Sequence, residues 1–327
     1  MNAYKILVTG VGAVIGYGIV RSLRKARPET VVIGMDIYAD AVGKHWCDHF
    51  EQSPLVADPK YPGFLREVIR KHGVDLVIPG IEQDVTYLAK EAAKETLRGL
   101  TARFVLNNPR LIPIADDKWL TYLQLKQHGL PIIETRIDGE FKDLAGALGL
   151  PMLLKPRRSY ASKGIQVIHA QEDLDYWKAR LGDNFMVQQL VGDLEEEYTV
   201  GAFGLAGGKC VQPIILQRKL SREGATAKAR VRDLPELERR VRRLVELFEP
   251  IGPTNFQFRL HQGEYLLLEI NPRMSSSNSL RTSFGYNEAE MCIEYYLENK
   301  QPSPPRIRSG CAVRYIEDVV VYDRSDF

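Results

Sequence analysis

The sequence predicts an α/β protein whose N-terminal part is a doubly wound parallel sheet and whose C-terminal part is α+β. Three observations indicate this. A strand, a glycine-rich turn, a helix and a second strand follow one another over residues 5–36. Helical and strand patterns then alternate as far as Asn108. Beyond Asp116 hairpin patterns interrupt the helices, which is typical of an α+β arrangement.

Size and composition favour two or three globular domains of roughly 100 to 150 residues each. Of the 327 residues, 44% are hydrophobic and 26% are charged, and no apolar run suits a bilayer span. The strand-like KILVTG follows the first residues directly, so we expect no signal peptide and a cytoplasmic location. The net charge of +2 favours neither a nucleic acid nor a membrane as partner. The four cysteines show no C-x-x-C spacing, which indicates reduced thiols.

The first domain opens with the strands 5–9 and 31–36, joined by a glycine-rich turn and a helix that reaches about Arg27. Asp36 closes the second strand, as a ribose-binding aspartate does in dinucleotide-binding proteins. The glycines Gly10, Gly12 and Gly16 are spaced G-x-G-x-x-x-G, which departs from the dinucleotide fingerprint. A nicotinamide site and a tight turn for helix packing therefore both stay open.

The rest of this domain continues the alternation with a helix over Tyr61–His72, a strand over residues 74–80, a helix from Asp84 and a strand over residues 102–107. Glu82 and Asp84 follow a strand at the edge where α/β domains bind ligands. Acidic residues at a helix start also favour the helix dipole, and we interpret them as capping residues.

The middle of the chain places cations and hydroxyls around a turn. After a helix over Lys118–His128 come the strands Met152–Lys155 and Ile165–Ile168. A polyphosphate needs a link of this kind, with backbone N–H groups, hydroxyls and cations, and its candidate residues are Arg157, Arg158, Ser159, Ser162, Lys163 and Gly164. Lys155 lies in an apolar strand, where a lysine is costly unless it meets an anion.

The C-terminal part combines strands with the amphipathic helix Pro235–Phe248. The pattern predicts a strand over residues 185–191, further strands near 198–203 and 211–216, and a charged loop over Gln217–Arg232. A hairpin follows from Asn255. If its turn holds three residues, 261–263, Gln257 shares a face with Glu269.

The stretch EYLLLEINPRMSSS, residues 264–277, is the strongest candidate for chemistry. In an extended strand Glu269, Asn271 and Arg273 share one face, with Leu268 and Ile270 opposite. Oxygen ligands beside a fixed cation suit a Mg²⁺ ion bound to phosphate oxygens. Alone, the same pattern also fits a half-buried strand that runs into a polar loop.

Together these residues resemble the ATP-grasp superfamily, and most closely the ATP-binding units of carbamoyl-phosphate synthetase large subunits and related carboxylate-amine ligases. LEINPRMSSSNSL, residues 268–280, carries the most specific part of the likeness. The resemblance implies a Rossmann-like pre-ATP-grasp domain over residues 1–112. It also implies an ATP-grasp subdomain with a phosphate lid over 113–186 and a C-terminal ATP-grasp subdomain with the metal site over 187–327.

The resemblance also implies roles for single residues. Arg273 would act on the transferring phosphoryl group, and the metal ligands would be Gln257, Glu269 and Asn271. The ATP-binding residues would be Lys118 and Lys155 at the phosphates, Ser159, Ser162, Lys163 and Gly164 in the lid, Gln188 and Leu190 at the adenine, and Glu197 at the ribose. Gln188 stands where the family often has glutamate, and Gly164 is the lid's one glycine.

The chemistry implied by the resemblance is phosphorylation of a carboxylate by ATP with Mg²⁺, or Mn²⁺, to an acyl phosphate that an amine or a thiol attacks. The expected partners are ATP, a small carboxylate and a small amine, and a homodimer is plausible from the family. A nicotinamide-dependent oxidoreductase is the main alternative, and a nucleotide-binding regulator without turnover is the third.

Overall fold

The computed structural model describes residues 3–159, 164–182, 184–221 and 224–322. These residues form three sheets, and one cleft is lined by residues of the second and third sheets and by loops and helix starts of the N-terminal part. In this part of the chain we find no helix with the length and apolar character needed to cross a membrane.

The N-terminal residues fold into a doubly wound parallel sheet, as predicted. Its elements are β1 (Lys5–Thr9), α1 (Val14–Ala26), β2 (Val31–Asp36), a 3₁₀ helix (Val42–Trp46), β3 (His49–Gln52), α2 (Tyr61–His72), β4 (Leu76–Ile78), α3 (Glu82–Ala93) and β5 (Arg103–Phe104). The strand order is β3-β2-β1-β4-β5, with every pair parallel. Ile6 and Val8 pack with α1, whereas Leu7 packs with α2 and α3 on the opposite face.

A small antiparallel sheet follows. The elements of this region are α4 (Leu111–Asp116), α5 (Lys118–Gln127), β6 (Thr135–Arg136), α6 (Phe141–Leu148), β7 (Met152–Pro156), β8 (Gln166–Ile168), α7 (Gln171–Leu181) and β9 (Phe185–Gln189). The strand order is β6-β9-β7-β8. Leu148 of α6 and Leu174 of α7 pack on one face of this sheet. The sequence patterns did not predict α4 or α7.

The third and largest sheet has seven strands and is antiparallel. Its region contains a 3₁₀ turn (Leu194–Glu196), β10 (Glu197–Leu205), β11 (Lys209–Cys210), β12 (Ile214–Leu220), β13 (Thr226–Val231), α8 (Pro235–Phe248), β14 (Gly252–His261), β15 (Glu264–Asn271), α9 (Asn278–Ser283), α10 (Glu288–Cys292), a π-helical turn (Ile293–Leu297) and β16 (Cys311–Val313). The order is β15-β14-β10-β12-β13-β16, and β11 pairs with β10. Helix α8 covers one face, while α9 and α10 contact α1, so the first and third sheets share a core.

The charged segment Gln217–Arg232 is mostly strand, so its prediction as a loop is wrong. It contributes the end of β12 and all of β13, which pair with each other. Its charged side chains differ in exposure: Arg218 is buried, while Lys219 and Lys228 are exposed to solvent. A strand with this many charges resembles a solvated loop in sequence, because the residues that pair with the buried arginine lie elsewhere in the chain.

The hairpin of β14 and β15 turns more tightly than predicted. His261 pairs with Glu264, and the turn holds only Gln262 and Gly263, with φ of 50° and 82°. Two successive residues with positive φ are typical of a type I′ turn. The expected three-residue turn is therefore wrong, and this tighter register alone would take Gln257 off the face that carries the predicted metal ligands.

A β-bulge lower in the hairpin reverses that effect. Phe258 pairs with Leu267, but the next pair is Gln257 with Glu269, so Leu268 is an extra residue on β15. Gln257 and Glu269 thus share a face, although the reason differs from the one expected. The same bulge places Leu268 at the cleft, so its predicted position on the opposite face is wrong.

The limits of 1–112, 113–186 and 187–327 for the domains stay a prediction. The boundary between 186 and 187 falls inside β9, a strand of the second sheet.

Candidate functional site

A cleft of about 910 Å³ lies where the three sheets meet. Ten of the thirteen predicted site residues line it: Lys118, Lys155, Ser159, Gln188, Leu190, Glu197, Gln257, Glu269, Asn271 and Arg273. Of the other three, Ser162 and Lys163 lie outside the described residues, and Gly164 is exposed, with φ of 80°. The fold therefore brings together residues that are up to 155 positions apart in the chain, from Lys118 to Arg273.

The predicted metal ligands lie side by side at the end of the hairpin. Asn271 Nδ2 donates to Glu269 Oε1 at 3.0 Å, and Arg273 Nη2 donates to Asn271 Oδ1 at 3.1 Å. Gln257 Oε1 accepts from Arg218 Nη2 at 2.6 Å. One carboxylate and two amide oxygens are hard ligands of the kind that Mg²⁺ takes when nucleotide phosphates supply the remainder. Among the described residues we find no cluster of three or more His, Cys, Asp or Glu side chains that could hold a metal alone.

Lys155 is a buried cation in the lining of the same cleft. Its Nζ donates to Gln188 Oε1 at 2.6 Å, and Gln188 Nε2 donates to Thr135 Oγ1 at 2.8 Å. Burial, and then the positive charge of Lys118, lower the pKa of Lys155 from 10.5 to about 7. A neutral amide is its hydrogen-bond partner, so an arriving anion would provide the counter-charge that the lysine lacks.

Lys118 reaches the link that follows β7. Its Nζ donates to the carbonyl oxygen of Ser159 at 2.8 Å. Just before it, Asp117 caps α5 and binds Arg157 at 2.6 Å, with Arg158 at 3.3 Å. Burial alone would raise the pKa of the Asp117 carboxyl, but the Arg157 hydrogen bond and the Trp119 N–H hold it below its ordinary value. Asp117, which was not predicted as a site residue, thus ties the lid's first residues to α5.

Two arginines that the sequence patterns did not single out surround Glu197. Arg218 Nη2 lies 2.8 Å from Glu197 Oε1, and Arg259 Nη2 lies 2.6 Å from Oε2. Arg218 and Glu197 are both buried, and both arginines line the cleft. Arg218 also bonds Gln257, so it links the predicted ribose-binding residue to the metal face. No local signal identifies Arg218, because the exposed Lys219 stands beside it and only the distant Glu197 explains its burial.

Arg273 pairs with the first residue of α3 in the N-terminal part of the chain. Its Nε donates to a carboxylate oxygen of Glu82, and its Nη1 donates to the Met274 carbonyl at 2.9 Å. Glu82 is the first residue of α3, and no side chain caps that helix. The interpretation of Glu82 as a capping residue is therefore wrong. Asp84 instead points into the domain, where it accepts from Tyr61 Oη at 3.0 Å and its pKa is raised by burial.

The glycine-rich turn after β1 is held by hydrogen bonds to Asp36 and by its close contact with α1. Asp36 Oδ2 accepts from the Gly12 N–H at 2.7 Å, and Asp36 Oδ1 accepts from the Tyr38 N–H at 3.1 Å. A Cβ at Gly16 would lie 2.0 Å from the Gly10 carbonyl oxygen, so α1 needs glycine there to approach the turn. These contacts fit a tight packing turn, the alternative to a nicotinamide site.

Comparison with known proteins defines the class. Residues 157–319 match the family model described as ATP-grasp in the biosynthetic pathway with Ter operon. Residues 6–102 match the model described as PylC-like, N-terminal domain. The chain therefore carries an ATP-grasp domain behind a PylC-like N-terminal domain, and the predicted superfamily is confirmed.

Two curated relatives show which enzymes this chain is similar to in sequence. A formate-dependent phosphoribosylglycinamide formyltransferase of Bordetella avium is 28% identical over 179 residues, which cover 53% of this chain and 41% of that protein. A carbamoyl phosphate synthase large chain of Methanothrix thermoacetophila is 21% identical over 288 residues, covering 80% of this chain and 25% of that protein. The chain thus spans less than half the length of these two relatives, and it is homologous to the large chains that the resemblance named.

A solved structure supports the fold. The biotin carboxylase domain of the 2-oxoglutarate carboxylase of Hydrogenobacter thermophilus, crystallised with MgADP, ADP and bicarbonate, superposes with a TM-score of 0.74 at 14% identity. The match covers 95% of this chain and 74% of that one, and it confirms the predicted mixed α/β architecture. Neither family model nor any of these relatives is described as a nicotinamide-dependent oxidoreductase, so that alternative is unsupported.

Proposed function

We propose that this chain is an ATP- and Mg²⁺-dependent ligase that joins a carboxylate to an amine, or to a thiol, through an acyl phosphate. One observation carries the proposal: the oxygen ligands on β14 and β15, with Arg273 beyond them, line the same cleft as Lys118 and Lys155. A site of this kind suits a nucleoside triphosphate together with its metal ion. The relatives, which include a formate-dependent formyltransferase and a carbamoyl phosphate synthase large chain, support a reaction on a small carboxylate.

The nucleotide would lie along the second sheet. Lys155 and Lys118 would hold its phosphates, and the segment from Gln188 to Leu190 would present backbone groups to the adenine. Glu197 would accept from the ribose hydroxyls, since its carboxylate has lone pairs left after its bonds to Arg218 and Arg259. The lid residues, Ser159 and Gly164 with Ser162 and Lys163, would cover the phosphates.

Gln257, Glu269 and Asn271 would hold Mg²⁺, with Mn²⁺ as an alternative. A bound metal ion would neutralise charge on the phosphate oxygens. In the reaction the carboxylate oxygen of the acceptor attacks the γ-phosphorus, the bond to ADP breaks, and an acyl phosphate forms. The amine then displaces phosphate. Arg273 would donate to the transferring phosphoryl group, and the lid implied by the resemblance would protect the acyl phosphate from water.

We propose further that the chain is cytoplasmic and that, as the resemblance implies, it forms a homodimer. The test is ADP release from MgATP over a matrix of small carboxylates and amines, together with calorimetric binding of a non-hydrolysable ATP analogue, Mg-AMPPNP. We expect Mg-AMPPNP binding in the wild type and ADP release with one carboxylate and amine pair. Glu269→Ala should abolish this release, and the exposed-residue control Lys228→Ala should retain it.

The proposal fails if the purified chain binds no Mg-AMPPNP, or if Glu269→Ala leaves ADP release unchanged. Nucleotide binding without turnover over the whole matrix would favour the regulatory alternative.

A further inference from the structure

Asn255 is a buried side chain on the same sheet face as the predicted ligands. Three rows cross this face. Glu197 pairs with Arg259 in the first row, and Gln257 pairs with Glu269 in the second. Asn255 pairs with Asn271 in the third row. Two residues of rise separate successive rows along a strand, about 7 Å. Asn255 is fully buried, yet it lines the cleft.

Hydrogen bonds from Thr199 and Arg281 fix the orientation of the Asn255 amide. Its Oδ1 accepts from Thr199 Oγ1 at 2.6 Å and from Arg281 Nη2. Two donors on Oδ1 leave the Nδ2 group on the other side of the amide, and Nδ2 has no hydrogen-bond partner among the described residues. A buried donor without an acceptor costs free energy. A ligand group that accepts a hydrogen bond from Nδ2 would therefore be bound favourably.

Arg281 holds this arrangement. Its guanidinium is fully buried, and its Nη1 lies 3.2 Å from both carboxylate oxygens of Glu288, the first residue of α10. Its Nη2 also donates to Thr199 Oγ1 at 3.0 Å. The group lies against Gly201, where a Cβ would come within 2.6 Å of Nη1. The sheet has a glycine at the point where this arginine needs room.

We propose that Nδ2 of Asn255 donates a hydrogen bond to the carboxylate of the acceptor substrate, and that Arg281 is the residue that positions it. The inference rests on the ligase function proposed above. If the ribose lies at the first row and the metal-bound phosphates lie between Gln257, Glu269 and Asn271 of the second and third rows, the group that receives the phosphoryl lies next along the strands, beside Asn255. Nδ2 is a donor and cannot ligate a metal, whereas it matches an anionic oxygen.

The experiment measures binding to the full chain in two parts. Mg-AMPPNP binding is measured by calorimetry, and binding of labelled formate and labelled bicarbonate is measured by equilibrium dialysis with MgADP present. Asn255→Asp keeps the two donors on Oδ1 and replaces Nδ2 by an oxygen, which repels a carboxylate. We expect it to weaken binding of at least one probe by about tenfold or more, while Mg-AMPPNP affinity stays within about twofold.

The positioning role is tested with milder changes, because removal of Arg281 leaves Glu288 buried and unpaired and can unfold the chain. Thr199→Val removes one of the two donors to Oδ1, and we expect a partial loss of probe binding. Arg281→Lys should retain more of the probe binding than the double variant Arg281→Met with Glu288→Gln, which leaves no buried charge unpaired, since a lysine can still donate to Oδ1.

The two binding measurements separate the role of Asn255 from the ligase function. A wild-type chain that binds Mg-AMPPNP but neither probe overturns the assignment of the third row, and so does an Asn255→Asp chain that binds both probes normally. A wild-type chain that binds no Mg-AMPPNP overturns the ligase proposal itself, and the assignment to Asn255 with it.

Discussion

The ammonium group of Lys155 lies 2.6 Å from the side-chain oxygen of Gln188, a neutral partner for a buried cation. Because burial and the charge of Lys118 lower the pKa of Lys155 to about 7, the group loses its proton near neutral pH in the free chain. Phosphates favour the protonated form, so nucleotide binding above pH 7 must take up a proton.

We therefore expect the affinity for Mg-AMPPNP to fall as the pH rises from 7 to 9, by up to about tenfold per unit. Below pH 7 Lys155 is already charged and should contribute no pH dependence. Calorimetry in two buffers of different ionisation enthalpy at pH 8 measures the proton uptake directly. Gln188→Glu, which places a carboxylate beside the lysine and keeps it charged, should flatten the profile. Equal wild-type affinities at pH 7 and pH 9 would contradict this role of the lysine.

The metal face holds only one carboxylate among its predicted ligands, Glu269, beside the amides of Gln257 and Asn271. We expect Mn²⁺, as a paramagnetic substitute, to bind weakly to the free chain and much more tightly with ADP, since phosphate oxygens complete its ligand set. Gln257→Glu adds a second carboxylate and should strengthen nucleotide-free Mn²⁺ binding. Electron paramagnetic resonance of free Mn²⁺ measures both effects. Tight Mn²⁺ binding to the wild type without ADP would argue against the assigned ligands.

The buried pair of Arg218 and Glu197 should be essential for stability. Glu197→Ala leaves two guanidinium groups without their carboxylate, and we expect the free energy of unfolding to fall by about 3–5 kcal/mol. Urea denaturation measures the change. Arg98→Ala, which breaks an exposed pair with Glu95, is the control and should cost less than about 1 kcal/mol. Similar losses in the two variants would show that burial does not matter here.

Two glycines should respond in opposite ways to alanine. Gly201→Ala places a Cβ against the Arg281 guanidinium, and we expect a loss of about 1–3 kcal/mol. Gly146 lies inside α6, and a Cβ there would meet nothing within 4 Å, so Gly146→Ala should stabilise the chain by about 0.5–1 kcal/mol. Thermal unfolding of both variants gives the comparison. A neutral Gly201→Ala would mean that Arg281 can move aside.

The sequence predicted those parts of the site whose signals are local. Glu269, Asn271 and Arg273 follow from a two-residue period, and Lys155 follows from a lysine in an apolar strand. The first sheet, apart from the short edge strand β3, was predictable because strands and amphipathic helices alternate over residues 5–107.

The remaining site residues depend on pairings that a single segment does not contain. Arg218 and Arg259 sit among charged residues, and only their distant partner Glu197 explains their burial. Asn255 looked like an ordinary start of a strand. The role of Glu82 could not be read from its helix, because Arg273 lies 191 positions away.

The bulge at Leu268 lies between the tip of the hairpin and the base that carries the predicted ligands. Residues added to or lost from the turn at Gln262 and Gly263 can change the length of the exposed end, because the pairs of Gln257 with Glu269 and of Asn255 with Asn271 lie on the other side of the bulge. Variation in length is therefore tolerable at the tip, and related sequences should be aligned on the base of this hairpin.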